Sequence, residues 1–242
     1  MNGKFKTELH CHTGDVSVCG QCSAEYIVSR YVDAGYNTLV VTDHFNRHTF
    51  SLSNKYLGFL QKNNLDASWE GMIDFFLSGY RHIKEVAGDR LNVLLGMEFM
   101  PWVSCSKNDY LLFGVTEEWL KASPFLPRLT YSELAIYAHA CGLKIYQAHP
   151  FRVDAMISDP RYLDGIEVYN GTVNVNSNNR IADFWATRHD LKKISGTDFH
   201  ESIHQTVGGI LTDAPITTNQ QLLEVLDSQD NYTLVKDLES IG

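Results

Sequence analysis

Thr38-Leu39-Val40-Val41-Thr42-Asp43-His44 is a short β-branched run that stops at an acid and a histidine. A run that is apolar at successive positions suits a strand buried on both faces, as in a parallel sheet covered by helices. The polar pair at its end then marks where the chain leaves the sheet. The same pattern recurs on either side of it.

Upstream, Phe5 to His10 alternates apolar and polar residues as a half-buried strand does. Ser23 is placed to cap a helix in which Ile27, Val28, Tyr31 and Val32 share one face, and Gly35 supplies its stop. Downstream, residues 46–64 read as a helical excursion. A clearer helix follows, with Met72, Phe75, Phe76, Gly79, Ile83 and Val86 on a core-facing stripe. Leu91 to Phe99 and Tyr110 to Val115 are strands three and four. Thr130 and Glu133 form a capping box for a helix that runs to Cys141 and is closed by Gly142. Lys144 to Ala148, Gly165 to Tyr169 and Lys193 to Ser195 are strands five to seven, with a polar helix from Asn178 to Arg188 before the last. An apolar segment at Gly208 to Leu211, a helix around Gln220 to Leu226 and a β-type stretch near Tyr232 to Val235 complete the chain.

No repeat, low-complexity tract or linker divides the 242 residues, so 1–242 reads as one domain. Strands alternating with helices imply parallel strands joined by right-handed crossovers. An open doubly wound sheet and a closed barrel both fit that alternation. The polar residues choose between them. His10 and His12 end strand one, Asp43 and His44 end strand two, Glu98 ends strand three, His149 ends strand five before Pro150, and Asp198 and His200 follow strand seven. A barrel gathers its active site from the C-terminal ends of several strands, whereas an open sheet concentrates it at one switch point. The expected fold is therefore an α/β, TIM-like (β/α)7 barrel.

Side chains two apart on a strand face the same way, so His10 and His12 can share one ion, and Asp198 and His200 repeat the spacing. Five histidines and two or three carboxylates exceed one ion's needs. Two divalent metals are the minimum, three the upper count, and mixed imidazole and carboxylate ligation suits Mn, Zn or Fe. Two cations a few ångströms apart lower the pKa of a bridging water and clamp a phosphoryl group.

The ordered set His10-Cys11-His12, Thr42-Asp43-His44, strand-end Glu98, Ala148-His149-Pro150 and Gly196-Thr197-Asp198-Phe199-His200 resembles the PHP (polymerase and histidinol phosphatase) family of metal-dependent phosphoesterases. No single motif is specific; the order and spacing of all of them are. The resemblance implies a distorted seven-stranded barrel and a phosphate-ester hydrolase, with His10, His12, His44, Glu98, His149, Asp198 and His200 as metal ligands. Two departures bear on a third metal. A His or Asp frequent in the family five or six residues after the second His is replaced here by Ser17 and Val18, with Asp15 as a substitute ligand. A His frequent after strand four is replaced by a segment ending at Glu117.

Further roles follow from position. Asp43 is read as orienting His44 or handling a proton, and Asp198 and His200 as catalytic. Arg152, three residues past His149, is placed to grip phosphate, with Asn170 and Arg180 as further substrate contacts and Arg47 a weaker one. His82, His139 and His189 read as structural, and His48 and His204 as solvated loop residues. Five cysteines, an odd number, imply no disulfide framework, and Cys19-Gly20-Gln21-Cys22 reads as a loop with incidental thiols.

Composition narrows the partners. With 29 acidic and 20 basic residues the formal charge is −9, which argues against long nucleic acids and anionic membranes. Bound cations would offset part of that charge at the site, so a small phosphorylated metabolite or a nucleotide stays admissible. The chain has no signal core or membrane-length apolar run, and the reading is cytoplasmic. The leading expectation is hydrolysis of a phosphate monoester. The alternatives are a histidinol-phosphate phosphatase and a metal-binding regulatory module without turnover.

Overall fold

The computed structural model of the protein describes residues 5–51, 54–103 and 107–237. The fold is a mixed α/β structure in which, among the described residues, eleven strands fall into two sheets. In the first sheet, β1 (Phe5–Cys11), β2 (Thr38–Val41) and β4 (Asn92–Leu95) pair in parallel. The second runs in the order β3 (His44–Phe45), β5 (Met97–Phe99), β6 (Tyr110–Phe113), β7 (Lys144–Gln147), β8 (Gly165–Asn170), β9 (Lys192–Gly196).

The two sheets share chain. The expected strand three breaks at Gly96 into β4 and β5, and strand two breaks after Val41 before resuming as β3. A Cβ on Gly96 would lie 2.8 Å from Val40 Cγ1 and 2.9 Å from Thr42 Cγ2, so a side chain there would force the two strands apart at the bend. At the other end β1 meets the segment just after β9 through one isolated bridge, Cys11 to Phe199, supported by His12 N to Phe199 O (3.1 Å) and Asp198 N to His10 O (2.9 Å). Among the described residues the ladders thus form two sheets and not one closed ring. A physical reason is visible on β1. Its first half pairs with β10 (Ile210–Thr212), antiparallel, and β10 in turn with β11 (Thr233–Leu234), which leaves only the last residues of β1 to meet the β9 side.

The expectation of uniformly parallel strands is corrected at β6, which is antiparallel to both β5 and β7. Its direction reverses which of its ends faces the site. The excursion at 46–64 contains two helices, α2 (Arg47–Phe50) and α3 (Asn54–Asn63). The other helices are α1 (Ala24–Asp33), α4 (Trp69–Ala87), α5 (Glu117–Lys121), α6 (Tyr131–Ala140), α7 (Asn179–Arg188) and α8 (Asn219–Val225). Ser23 caps α1, and the Thr130–Glu133 capping box is formed at α6. α5, capped by Thr116, is too short to show a period in the sequence.

Leu9, Val40, Leu94, Phe113, Tyr146 and Ile194 form one core between strands, while α4, α6 and α7 cover the outer face with Ile73, Phe76, Leu134 and Ala182. α1 and α4 pack together over β1, β2 and β4 through Ile27, Tyr31 and Ile83. Helices on one side and strand cores on the other leave the strand ends as the place where polar side chains meet. No helix among the described residues is long and apolar enough to cross a membrane.

Candidate metal centre

His10 and His12 leave the end of β1 with both rings buried, and their Nε2 atoms lie 3.1 Å apart. The opposite ring nitrogens decide what those atoms are. His10 Nδ1 is 2.9 Å from Glu167 Oε1, a carboxylate that takes its hydrogen. His12 Nδ1 is 3.2 Å from Ser17 Oγ, and Ser17 donates its single hydrogen to Asp43 Oδ1 at 2.7 Å, so Ser17 accepts from His12. Both Nε2 atoms are therefore the ring nitrogens turned into the cluster.

Carboxylates close around that pair. Glu98 Oε1 is 3.3 Å from His10 Nε2, and Asp198 Oδ1 is 3.4 and 3.3 Å from His10 and His12 Nε2. Glu98 also meets His44 Nδ1 at 2.7 Å and His149 Nε2 at 3.1 Å. Four overlapping groups could hold a metal ion: His12, His44 and His200; His10, His12 and Asp198; His10, Glu98 and His149; and His44, Glu98 and Asp109. Four of these residues, His10, His12, His44 and Glu98, belong to two groups each, as ligands shared between neighbouring cations would.

The chain strains its backbone to build this. His149 (φ 27°) and Asp198 (φ 50°) both adopt left-handed conformations without being glycine. Each costs about 1–3 kcal/mol, which the surrounding bonds must offset. His149 N donates to Glu167 Oε2 (2.9 Å), and Asp198 Oδ2 receives Arg152 Nη2 (2.6 Å) and Asn170 Nδ2 (3.2 Å).

The electrostatics follow from burial opposed by neighbours. Burial pushes Glu98 and Asp198 up, yet His44 and His10 hold Glu98, and His10 and His200 hold Asp198, well below the usual carboxylate range. Burial lowers His10, but Glu167, Asp198 and Glu98 outweigh it and keep the ring well above its ordinary value. His12 goes the other way: burial, His200 and His44 depress it well below. Asp109 is pushed up to about 7 by burial and by Glu98.

The residues singled out in the sequence separate clearly. His10, His12, His44, Glu98, His149, Asp198 and His200 all lie in the cluster. Asp43 lies behind it, accepting from Thr13 N (2.7 Å), Thr13 Oγ1 (2.8 Å) and Ser17, with burial raising its carboxyl to about 6. It therefore orients His12 through Ser17. Asp15 stands apart, half-exposed and paired with His82 Nδ1 at 2.9 Å. Glu117 pairs with Arg81 and Lys121 on the surface. Arg152 and Asn170 reach the cluster through Asp198, while Arg180 and Arg47 are exposed and outside it. His139 pairs with Asp164 and His189 stacks on Trp185. His204, expected in solvent, is buried and accepts from His200 N at 3.0 Å. Cys19 and Cys22 are both free thiols. The neighbouring His200 and His44 rings hold Cys19, whose surface is exposed, down to about 6, while Cys22 belongs to the core.

Sequence reasoning missed Glu8, Glu167, Asp109 and Ser17. Glu8 Oε1 accepts from His10 N and Thr197 N, each at 2.8 Å, beneath the site. A signal for Glu8 and Glu167 existed, since each is a carboxylate inside an otherwise buried strand. Asp109 precedes β6, and only the reversal of that strand brings it in.

The sequence model of the family described as PHP domain matches residues 8–175, the span that holds most of the clustered residues. The chain belongs to the PHP family. No curated protein matches it by sequence. Among solved structures, this PHP chain is similar to a two-domain protein from Bacteroides vulgatus containing a predicted PHP-like metal-dependent phosphoesterase, at 15% identity and TM-score 0.63. That likeness covers 95% of this chain and 64% of that one, so the chain spans under two thirds of that relative's length. It is similar to PsfC from Pseudomonas syringae at 16% identity and TM-score 0.60, covering 100% and 94% of the two chains. A third similar structure is an amidohydrolase from Chromobacterium violaceum with bound sulfate, at 14% identity and TM-score 0.51, covering 97% and 99%. At these identities the likenesses speak for the fold.

Proposed function

We propose that this PHP domain hydrolyses a phosphate monoester, using two or three divalent ions such as Mn, Zn or Fe held by His10, His12, His44, Glu98, Asp109, His149, Asp198 and His200. The observation that carries the reading is the convergence of the His10 and His12 Nε2 atoms, 3.1 Å apart, on the carboxylates of Glu98 and Asp198. Without a metal, His10 stays charged between Glu167, Asp198 and Glu98; a divalent cation would take the place of that proton, and imidazole with carboxylate is the donor set of Mn, Zn or Fe. When bound, such ions polarise a phosphoryl oxygen and lower the pKa of water.

The chain's own groups do the rest. Glu167, directly, and Asp43, through Ser17, fix the tautomers of His10 and His12. His200 is set likewise, its Nδ1 donating to Asp198 O at 2.9 Å, which leaves its Nε2 as the nitrogen that would ligate. Arg152 Nη2 is bound to Asp198, whereas its buried Nε has no partner. That unpaired N–H is placed to donate to a phosphate oxygen beside Asp198.

The regulatory-module alternative draws on an incomplete third ligand set. His12, His44 and His200 nevertheless form a group of their own, which favours turnover. The test is metal loading followed by assay. Protein loaded with manganese, zinc or iron should cleave an aryl phosphate, chelation should abolish the activity, and His10→Ala should not recover it. No turnover by any metal form with all ligands intact would remove the reading.

A further inference from the structure

A cavity of about 440 Å³ opens beside the cluster, walled by the strand end and loop from Tyr169 to Ser177 together with Asn179, Gln205 and Asp237. Its wall is bonded to the site at three points. Asn170 Nδ2 donates to Asp198 Oδ2 (3.2 Å), Ser177 Oγ accepts from Arg152 Nη2 (3.4 Å), and the Asn174 amide is 2.9 Å from Nε2 of His204, the residue that holds the His200 backbone. The cavity therefore lies within reach of the ester substituent of a phosphoryl group gripped by Arg152.

The wall is mostly uncharged and polar, with Tyr169, Val173 and Val175 as its apolar part. Four asparagines, Asn170, Asn174, Asn176 and Asn179, line it with Thr172 and Gln205, and among its described lining residues Asp237 alone carries a charge. Amide side chains both donate and accept, which matches hydroxyl groups, themselves both donors and acceptors. A cationic substituent would call for several carboxylates, and an anionic one for Arg or Lys, neither of which the wall supplies. The size lies within the range of small-molecule sites, roughly 300–1,000 Å³.

We infer that the leaving group of the substrate is uncharged and hydroxyl-rich, a sugar-type moiety held by the 170–177 loop. The inference rests on the phosphomonoesterase reading and specifies its substrate class. The moiety has two sources, a sugar phosphate or the ribose of a nucleoside monophosphate, and the experiment separates them.

The manganese-loaded full chain is assayed against an aryl phosphate, a hexose phosphate, a nucleoside monophosphate, phosphoethanolamine as the cationic case and 3-phosphoglycerate as the anionic case. The expected result is a kcat/KM at least ten-fold higher for the hexose phosphate or the nucleotide than for either charged ester. Whichever of the two is better names the source. Asn176→Leu should lower the ratio of hydroxyl-rich to aryl turnover ten-fold, and Gln205→Lys should shift preference toward 3-phosphoglycerate. A readout free of metal is saturation-transfer NMR with the unphosphorylated alcohol, whose contact with the wild-type protein should vanish in N176L. Preference for a charged ester, or unchanged ratios in folded N176L and Q205K, overturns the inference while aryl turnover leaves the phosphatase intact. Absence of all turnover, aryl phosphate included, removes both.

Discussion

His10 Nδ1 sits 2.9 Å from Glu167 Oε1, both side chains fully buried, and the other oxygen of Glu167 accepts from His149 N and Asn170 Nδ2, each at 2.9 Å. One carboxylate thus orients residues from three strand ends.

Glu167→Gln should weaken metal binding more than it disturbs the fold. Removing such a supporting carboxylate costs about 10–100-fold in metal affinity. Competition against a chelator of known affinity measures it; wild-type affinity in E167Q would show that His10 needs no carboxylate behind it.

Ser17→Ala removes no ligand but should act on His12 and on the His44 backbone N–H, which also donates to Ser17 Oγ at 3.2 Å. It leaves His12 Nδ1 and Asp43 Oδ1 without their shared partner, a loss of about 1–3 kcal/mol for buried polar groups. Thermal unfolding and metal affinity should both fall, and Asp43→Asn should lower the same two quantities. Effects of S17A on stability alone would limit the relay to a packing role.

Gly79→Ala sets two effects against each other. Alanine in place of glycine inside a helix gains about 1 kcal/mol from propensity. Here, however, a Cβ would lie 2.3 Å from Thr13 Oγ1 and 2.5 Å from Asp43 Oδ2, both pinned by hydrogen bonds. Overpacking of this kind costs about 1–3 kcal/mol, so a net drop in Tm is expected. A rise in Tm would mean that Thr13 and Asp43 yield freely.

Asp15→Ala should leave metal affinity and metal count as they are, because Asp15 pairs with His82 at the surface. Elemental analysis after dialysis decides it, and a lost equivalent of metal would restore Asp15 as a ligand.

Alkaline pH should unfold the protein through its buried tyrosines. Burial first, then neighbouring charges and phenols, raise Tyr31, Tyr36 and Tyr146 above the ordinary tyrosine value. Tyr36 donates to Gly208 O at 2.8 Å, a bond that the phenolate cannot make. A raised folded pKa means stability that is complete below the unfolded pKa of about 10 and is lost as pH rises beyond it. Denaturant titrations at pH 8 and pH 11 should show the fall, and Tyr36→Phe should reduce it.

The sequence by itself determined which histidines and carboxylates would stand at the strand ends. Seven His and carboxylate side chains at strand ends, in one order, are legible because strand periodicity and the point where apolar runs stop are local properties of the chain. The helix caps at Ser23 and Thr130 are legible for the same reason. What supports the ligands was not. Ser17 matters only because folding brings Asp43, 26 residues away, to its hydroxyl, and Glu167 only because β8 lies across from His10, 157 residues away. Asp109 enters because β6 runs backwards, and Asp15 leaves because His82 is nearer. The two-sheet arrangement was likewise decided in three dimensions, by β10 competing with β9 for the edge of β1. Local pattern records a residue's backbone and burial; partners and strand direction are set by packing between segments distant in sequence, and only the tertiary structure contains them.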